Sequence, residues 1–147
     1  MFSYQRITIA GRVSRPDFRY TGKGTPVFSF SLPVEEGYKT EEGSWENNTV
    51  WFRVTTFGKY AETLNRLVGN GAKVLVVGTL QFDHETGGPR IWQDKDGKPR
   101  ASFEVKVGMG SGEVTILDNG EVEDFNQDNG SQEEFDDLPG DDDELPF

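Results

Sequence analysis

The stretch from Val50 to Glu62, VWFRVTTFGKYAE, carries the side chains of this chain that are best suited to binding a ligand. Read with a period of two, it separates into two faces, and one of them holds Trp51, Arg53 and Phe57. A half-buried strand normally alternates apolar groups with ordinary polar groups. Flat rings interleaved with cations suit stacked bases and their phosphates. The alternative for this strand alone is burial on both faces, with Arg53 at the rim of a barrel.

The composition excludes several classes of protein. The chain of 147 residues has no cysteine, so that disulfides, thiolate metal sites and thiol nucleophiles are ruled out. Its longest aliphatic run, Val74 to Val77, is far shorter than the ~20 residues of a membrane-spanning helix. Its first residues lack the basic and apolar regions of a secretory signal. We therefore expect one domain with a tail, located in the cytoplasm and without membrane contact.

Catalytic and metal-binding motifs are weak. His84 is the only histidine, and it lies in a glycine-rich segment with no nucleophile beside it. A segment beginning at Asp94 resembles the start of a calcium loop, but Val105 stands where the closing glutamate belongs. A second such segment, beginning at Asp124, has Phe135 at that position. The sequence therefore predicts a protein that is not an enzyme, with no catalytic residue, no metal site and no cofactor.

The net charge of −11 is divided unevenly along the chain. Residues 118–147 contain 13 acidic residues and no Lys or Arg. The remainder, residues 1–117, has 15 basic against 13 acidic residues, a net charge of +2. A segment so acidic and so poor in apolar residues is predicted to be disordered. It ends in Leu-Pro-Phe after four acidic residues, an apolar plug with a carboxylate that a basic-rimmed pocket could hold.

The hydrophobic periodicity predicts the order of the elements. Strands are predicted at 6–13, 27–34, 50–57, 73–82, 90–93 and 98–107, a helix at 59–68, and loops at 14–26 and 35–48. Residues 114–117 are either a last strand or an isolated apolar patch. Three strands, a helix and further strands indicate a mainly β OB-fold. In this fold a five-stranded Greek-key barrel has its one helix between strands 3 and 4.

Four segments and the chain end resemble bacterial-type single-stranded DNA-binding proteins (SSB). The segments are YQRITIAGRV, FRYTGKGTPVFSFSL, VWFRVTTFGKYAE and GAKVLVVGTL, and the end is an acidic run closing in Pro-Phe. The resemblance covers residues 4–108 and the last seven residues, and it fits a chromosomal or a phage-encoded member. It implies an OB-fold, assembled as a homotetramer, that binds and protects single-stranded DNA in replication, recombination and repair.

The resemblance also implies individual binding residues. The family's stacking aromatic residues correspond to Tyr38, Trp51, Phe57 and Trp92, and its basic positions correspond to Arg6, Arg19, Arg53 and Lys59. The family's acidic tip, which recruits replication, recombination and repair proteins, corresponds to Asp141, Asp142, Asp143, Glu144, Leu145, Pro146 and Phe147.

We therefore expect three parts: an OB-fold single-stranded DNA-binding domain at 1–110, an acidic disordered linker at 111–140 and a partner-binding tip at 141–147. Stacking accepts the face of every base, so that binding should not depend on sequence. The resemblance also implies a nucleoid-associated location. The alternative is an OB-fold that mediates protein contacts in a replication or repair complex and has little DNA binding of its own.

Overall fold

A computed structural model of the chain describes residues 2–108 and 112–119. Within these residues it contains nine strands and one helix. The strands are β1 (Ile7–Arg12), β2 (Ser14–Tyr20), β3 (Pro26–Lys39), β4 (Trp45–Phe57), β5 (Lys73–Leu80), β6 (Ile91–Gln93), β7 (Pro99–Ala101), β8 (Phe103–Val107) and β9 (Glu113–Asp118), and the helix is α1 (Gly58–Leu67). The predicted tip at 141–147, and the predicted linker beyond residue 119, lie outside the described residues.

Seven of the strands form one sheet in the order β1-β5-β8-β4-β3-β2, with β9 also paired to β5. The pairs are antiparallel except for β4 with β8, which is parallel. Only Val13 separates β1 from β2, so that together they make the first strand of a small barrel. The helix follows β4, the third strand of that barrel. This order confirms the predicted OB-fold with its helix between strands 3 and 4.

The core lies on the inner face of the sheet. Its buried apolar side chains from the strands are Ile9, Phe28, Phe30, Leu32, Val54, Val74, Val76, Val105, Val107 and Val114. The helix adds Ala61 and Leu64, which belong to one apolar stripe with the helical period that predicts α1. Because successive residues of a strand point to opposite faces, the burial of Val54 directs Arg53 and Thr55 to the outer face of β4.

The chain passes from β4 into α1 without a loop. Gly58, where the helix begins, has a φ of +75°, in the left-handed region that glycine adopts without steric cost. The turn leaves Phe57 at the end of the strand and Lys59 in the first turn of the helix. The predicted helix at 59–68 is confirmed, with each end shifted by one residue.

The loop predicted at residues 14–26 is wrong for its first part, because Ser14–Tyr20 forms β2, which ends the sheet beside β3. A bulge between Ser14 and Asp17 inserts one extra residue into this pairing. Pro16 is tolerated because a strand at the edge of a sheet has one side without a ladder partner. The turn-forming and charged residues of β2 interrupt the alternation of apolar and polar residues, so that the periodicity does not predict this strand.

The polar loop predicted at residues 35–48 is also mostly strand. β3 continues to Lys39 and β4 begins at Trp45, so that residues 40–44 alone form the turn. The side chains on both faces of this extension are exposed. The backbone pairs of the β3–β4 ladder form this ribbon, and exposed side chains require no apolar alternation. The period-two signal therefore did not reveal it.

For residues 114–117 the structure favours the strand over the isolated patch. They form β9 with its flanking residues, and β9 pairs with Lys73–Val77 of β5, on the edge that β8 occupies further along. The helix contacts β9 as well, because Val114 N donates to the hydroxyl of Tyr60 at 2.7 Å. This strand lies beyond residue 110, inside the segment that the sequence assigns to the linker.

Candidate nucleic-acid interface

The outer face of β4 presents Trp51, Arg53 and Phe57 in one row, as the period of two predicts. Trp51 is 47% exposed to solvent. A groove of about 440 Å³ crosses this face, and its volume falls in the range of ~300–1,000 Å³ that is usual for ligand sites. We call it the β4 groove; its lining includes Arg15, Ser31, Trp51, Arg53, Ser102 and Phe103.

The guanidinium of Arg53 is held on this face by two serine hydroxyls of β3. Its Nη2 donates to Ser29 Oγ at 2.8 Å, and its Nη1 donates to Ser31 Oγ at 3.4 Å. The antiparallel register places Ser31 directly opposite Arg53. Both partners are neutral, so that the positive charge of Arg53 stays available to an anion while its position is fixed.

A second cation, Arg15, lies against the stacking ring. Its guanidinium carbon is 5.3 Å from the centroid of the Trp51 ring, within the ~6 Å limit of a cation–π contact. Arg15 belongs to β2, two strands away from β4, and it reaches Trp51 across β3. Arg15 is absent from the binding residues predicted from the sequence, since nothing in the sequence brings β2 and β4 to the same groove.

Phe57 makes the same kind of cation–π contact with a lysine. The Nζ atom of Lys106 lies 5.3 Å from the centroid of the Phe57 ring. Lys106 is in register with Thr55 through the parallel pairing of β8 with β4, and it therefore shares the outer face. The alternation of β8 contains the signal for this residue, because Val105 and Val107 are buried and Lys106 between them must point outwards.

Two other cations of this region are paired with acids. Arg19, a predicted phosphate-binding residue, donates to Asp17 Oδ2 from Nε at 2.9 Å and from Nη2 at 2.6 Å. Arg90 is paired with Glu104 of β8. The charge of Arg19 is therefore largely balanced within β2, whereas Arg15 takes part in none of the ion pairs among the described residues.

Tyr38 is not brought to the face of Trp51. It stands opposite Glu46 in the β3–β4 ladder, and its hydroxyl donates to Glu46 Oε1 at 3.2 Å. Even-numbered residues of β4 share the face of Glu46, and Trp51 belongs to the other face. The predicted stacking role of Tyr38 would thus require DNA to contact the second side of this ribbon.

Trp92 lies on the β6–β7 hairpin and is tied to the edge of the β4 groove. Its Nε1 donates to Ser102 Oγ at 2.7 Å, and Ser102 is one of the groove residues. Trp92 itself does not line the groove, but its ring is about half exposed. The hydrogen bond therefore positions a second exposed indole beside the site.

The remaining predicted basic residues, Arg6 and Lys59, do not line the β4 groove. Arg6 precedes β1, and its Nε donates to the Tyr4 hydroxyl at 2.8 Å. Lys59 is exposed in the first turn of α1, two residues after Phe57. Any contact of these two cations with DNA would extend the path beyond the groove.

The turn at Asp94–Gly97 lies between β6 and β7 and belongs to their hairpin. Asp94 Oδ1 accepts from the backbone N–H groups of Asp96 and Lys98 at 2.9 Å each, and Oδ2 accepts from Arg100 Nε at 2.9 Å. The Lys98 backbone donor, followed by the Arg100 guanidinium, lowers the pKa of the Asp94 carboxyl below its usual value. Within residues 2–108 and 112–119, no group of three His, Cys, Asp or Glu side chains has the geometry of a metal site.

The part of the chain that the structure describes has no helix long and apolar enough to cross a membrane. A family model described as "Single-strand binding protein family" matches residues 4–111. Among curated relatives, the single-stranded DNA-binding protein of Rickettsia conorii (strain ATCC VR-613 / Malish 7) is 30% identical over 99% of this chain and 98% of its own length. Single-stranded DNA-binding protein 1 of Xylella fastidiosa (strain 9a5c) is 30% identical with the same coverage.

Solved structures agree with the fold. A structure titled "Plasmodium falciparum SSB complex with ssDNA" superposes with a TM-score of 0.64 at 24% identity, over 80% of this chain and 98% of that chain. The small single-stranded DNA-binding protein from Streptomyces coelicolor gives a TM-score of 0.54 at 25% identity, over 71% of this chain and 89% of that chain. Both support the OB-fold architecture.

Proposed function

The chain belongs to the single-strand binding protein family, and we propose that it binds single-stranded DNA through the β4 groove without strong sequence preference. The proposal rests on one arrangement: the exposed Trp51 ring and the fixed Arg53 guanidinium lie side by side in an open groove. Aromatic rings stack on any base, and the arginine supplies a charge-assisted contact to phosphate. Duplex DNA keeps its bases stacked inside the helix and should bind more weakly.

The predicted binding set is Arg6, Arg19, Tyr38, Trp51, Arg53, Phe57, Lys59 and Trp92. We expect Trp51, Arg53 and Phe57 to contribute most, since they share one face. We expect Arg19 to contribute less because its charge is already neutralised by the ion pair with Asp17. Each phosphate that is neutralised should add about −0.7 to the slope of log affinity against log salt concentration.

The wider role that we propose is protection of single-stranded DNA in replication, recombination and repair, by a homotetramer in the cytoplasm. β1 pairs with β5 alone among the described strands, and its other edge could pair with a second copy. We propose in addition that residues 141–147 recruit genome-maintenance proteins, on the strength of their acidic run and terminal Leu-Pro-Phe.

Titration with poly-thymidine at several salt concentrations, on a sample of known mass in solution, tests the binding proposal. Quenching of tryptophan fluorescence should report binding and stacking, and its endpoint gives the number of nucleotides covered per subunit. Equal affinity for a duplex competitor would contradict the proposal.

The protein-interaction alternative is separated from DNA binding by a triple variant in which Trp51, Phe57 and Trp92 are each changed to Ala. DNA binding by stacking predicts a large loss of oligonucleotide affinity, whereas the alternative predicts little change. Removal of Phe147 alone tests the tip: we expect loss of partner capture with unchanged affinity for oligo-thymidine. Retention of partner capture by that variant would count against the tip.

A further inference from the structure

We propose that Arg15 is a DNA-contacting residue of the β4 groove, placed there by a strained backbone to hold a phosphate beside the base stacked on Trp51. The proposal rests on the proposed function, because it assigns a role within the same groove.

The backbone of Arg15 is in an unfavourable conformation. Its φ is +52°, and among the described residues it is the only one other than glycine with a positive φ. This region of backbone conformation is costly for a side chain with a Cβ atom, and glycine would fill it without strain. Strained residues of this kind concentrate where function requires a particular side chain.

The bulge in β2 determines the direction of Arg15. Ser14 pairs with Ser31 and Asp17 pairs with Ser29. The chain therefore advances by three residues in β2 and by only two in β3 between these pairs. In a regular ladder, Arg15 would stand opposite the buried Phe30 and point to the core. Bulges change the direction of a side chain, and here the extra residue allows Arg15 to turn to the outer face.

On that face the guanidinium of Arg15 meets Trp51 at 5.3 Å and forms one wall of the β4 groove. The contact holds a long, flexible side chain near the ring before any ligand arrives. A nucleotide whose base stacks on the indole carries its phosphates along the groove, within reach of this side chain. Arginine is suited to both contacts, because its planar group stacks on rings and binds phosphate through paired N–H donors.

The charge of Arg15 is available. The nearest acid along β2 is Asp17, and Arg19 already binds Asp17 Oδ2 through two nitrogen atoms. None of the ion pairs among the described residues includes Arg15. Arg15 is therefore the better phosphate ligand of the two β2 arginines, although the sequence resemblance pointed to Arg19.

Arg15→Gly separates this role from a structural one, because glycine removes the cation and relieves the backbone at once. We expect the melting temperature of the full chain to be unchanged or higher. Affinity for an oligo-thymidine of about 8 nucleotides, within the ~4–16 that one OB-fold covers, should fall about three- to tenfold at low salt. The salt slope should become shallower by about 0.7. Arg15→Lys should restore the slope, and Arg66→Gln, which removes an exposed charge from the last turn of α1, should behave like the wild type.

The outcomes are distinct. If the wild-type chain fails to bind oligo-thymidine, the proposed function fails. If the wild type binds and Arg15→Gly binds equally well with the same salt slope, the role of Arg15 is overturned and the proposed function stands. Weaker binding with an unchanged slope would also overturn it, because Arg15 would then act through the shape of the groove and not through a phosphate.

Discussion

The Nη2 atom of Arg53 donates to Ser29 Oγ at 2.8 Å, across two adjacent strands of the sheet. With the Ser31 contact, this bond aims a planar guanidinium along the β4 groove before DNA arrives. Lysine keeps the charge but cannot bridge two hydroxyls with one planar group. We expect Arg53→Lys to lose about fivefold in affinity for oligo-thymidine, about 1 kcal/mol, with an unchanged salt slope.

The matched control for Arg53→Lys is Arg66→Lys, the same exchange at an exposed position in the last turn of α1 that takes part in none of the ion pairs among the described residues. Affinity of this variant should match the wild type. An Arg53→Lys variant that binds as tightly as the wild type would mean that the serine contacts do not matter for binding.

Trp51 and Trp45 lie on the same strand but have different surroundings. Trp51 borders the β4 groove, whereas the indole of Trp45 packs over Gly37, since a Cβ there would lie 2.7 Å from Trp45 Nε1. We expect Trp51→Ala to lose about 1–3 kcal/mol of oligo-thymidine binding, about 5- to 150-fold. Trp45→Ala should lose less than about threefold. Fluorescence anisotropy with labelled oligo-thymidine measures both, and equal losses would contradict the placement of the stacking site.

The Asp17–Arg19 ion pair predicts a variant with stronger binding. Asp17→Asn releases the guanidinium of Arg19, which Asp17 now binds at 2.6 and 2.9 Å, and it removes a negative charge near the β4 groove. Affinity for oligo-thymidine should rise at low salt, and the salt slope should steepen by about 0.7 if Arg19 takes up one phosphate. The reverse variant, Arg19→Gln, should lose little. A large loss in Arg19→Gln would show that Asp17 does not limit Arg19.

Gly78 predicts a defect of stability. A Cβ at this position would lie 2.6 Å from the carbonyl oxygen of Lys106 and 2.7 Å from Val105 Cγ1, where β5 crosses close to β8. We expect Gly78→Ala to destabilise the fold by about 1–3 kcal/mol, as overpacking does, and to lower the melting temperature by about 4–8 °C for each kcal/mol. Gly22→Ala is the control, because nothing lies within 4 Å of its added Cβ. Calorimetry of the two variants decides the point, and equal melting temperatures would refute it.

The Asp94 turn predicts a local effect of pH. The Lys98 backbone donor and the Arg100 guanidinium lower the pKa of the Asp94 carboxyl below 3.8 in the folded chain. Because the pKa is lower in the folded chain, ionisation of Asp94 stabilises the turn at pH values above the pKa of the unfolded chain. This contribution is lost as the pH falls through the pKa of the folded chain. The amide proton of Lys98, followed by NMR from pH 6 downwards, should therefore titrate below 3.8. Asp94→Asn should abolish that titration, and a midpoint at or above 3.8 in the wild type would contradict the lowered pKa.

The sequence predicts the elements whose side-chain period reflects burial. The stripe containing Ala61 and Leu64 gave α1, and the alternation around Val54 gave both faces of β4. Strands that bury little, such as β2 and the exposed ends of β3 and β4, have no such period and are predicted wrongly as loops. Backbone pairing stabilises them, and backbone pairing has no signature in side-chain composition.

The residues of the candidate site likewise fall into those that the sequence predicts and those that it does not. The common face of Trp51, Arg53 and Phe57 follows from one strand, so the sequence predicts it. Arg15 and Lys106 come to these rings from other strands, through a bulge in β2 and a parallel register in β8. Contacts that depend on registers between distant segments cannot be read from local patterns. The roles of all these residues in DNA binding remain predictions.

The sheet order also has a consequence for folding kinetics. The β3–β4 ladder is local, with Lys39 opposite Trp45 at its tip. By contrast, β1 meets β5 through pairs such as Ile7 with Gly78, and β4 meets β8 through Phe52 with Phe103. Contacts between residues far apart in sequence form slowly, because long loops must close first. We therefore expect a transition state in which the β3–β4 ribbon is already ordered and the β8 side of the barrel is still open. The Trp51 edge of the groove would then be in place before its Phe103 edge on β8.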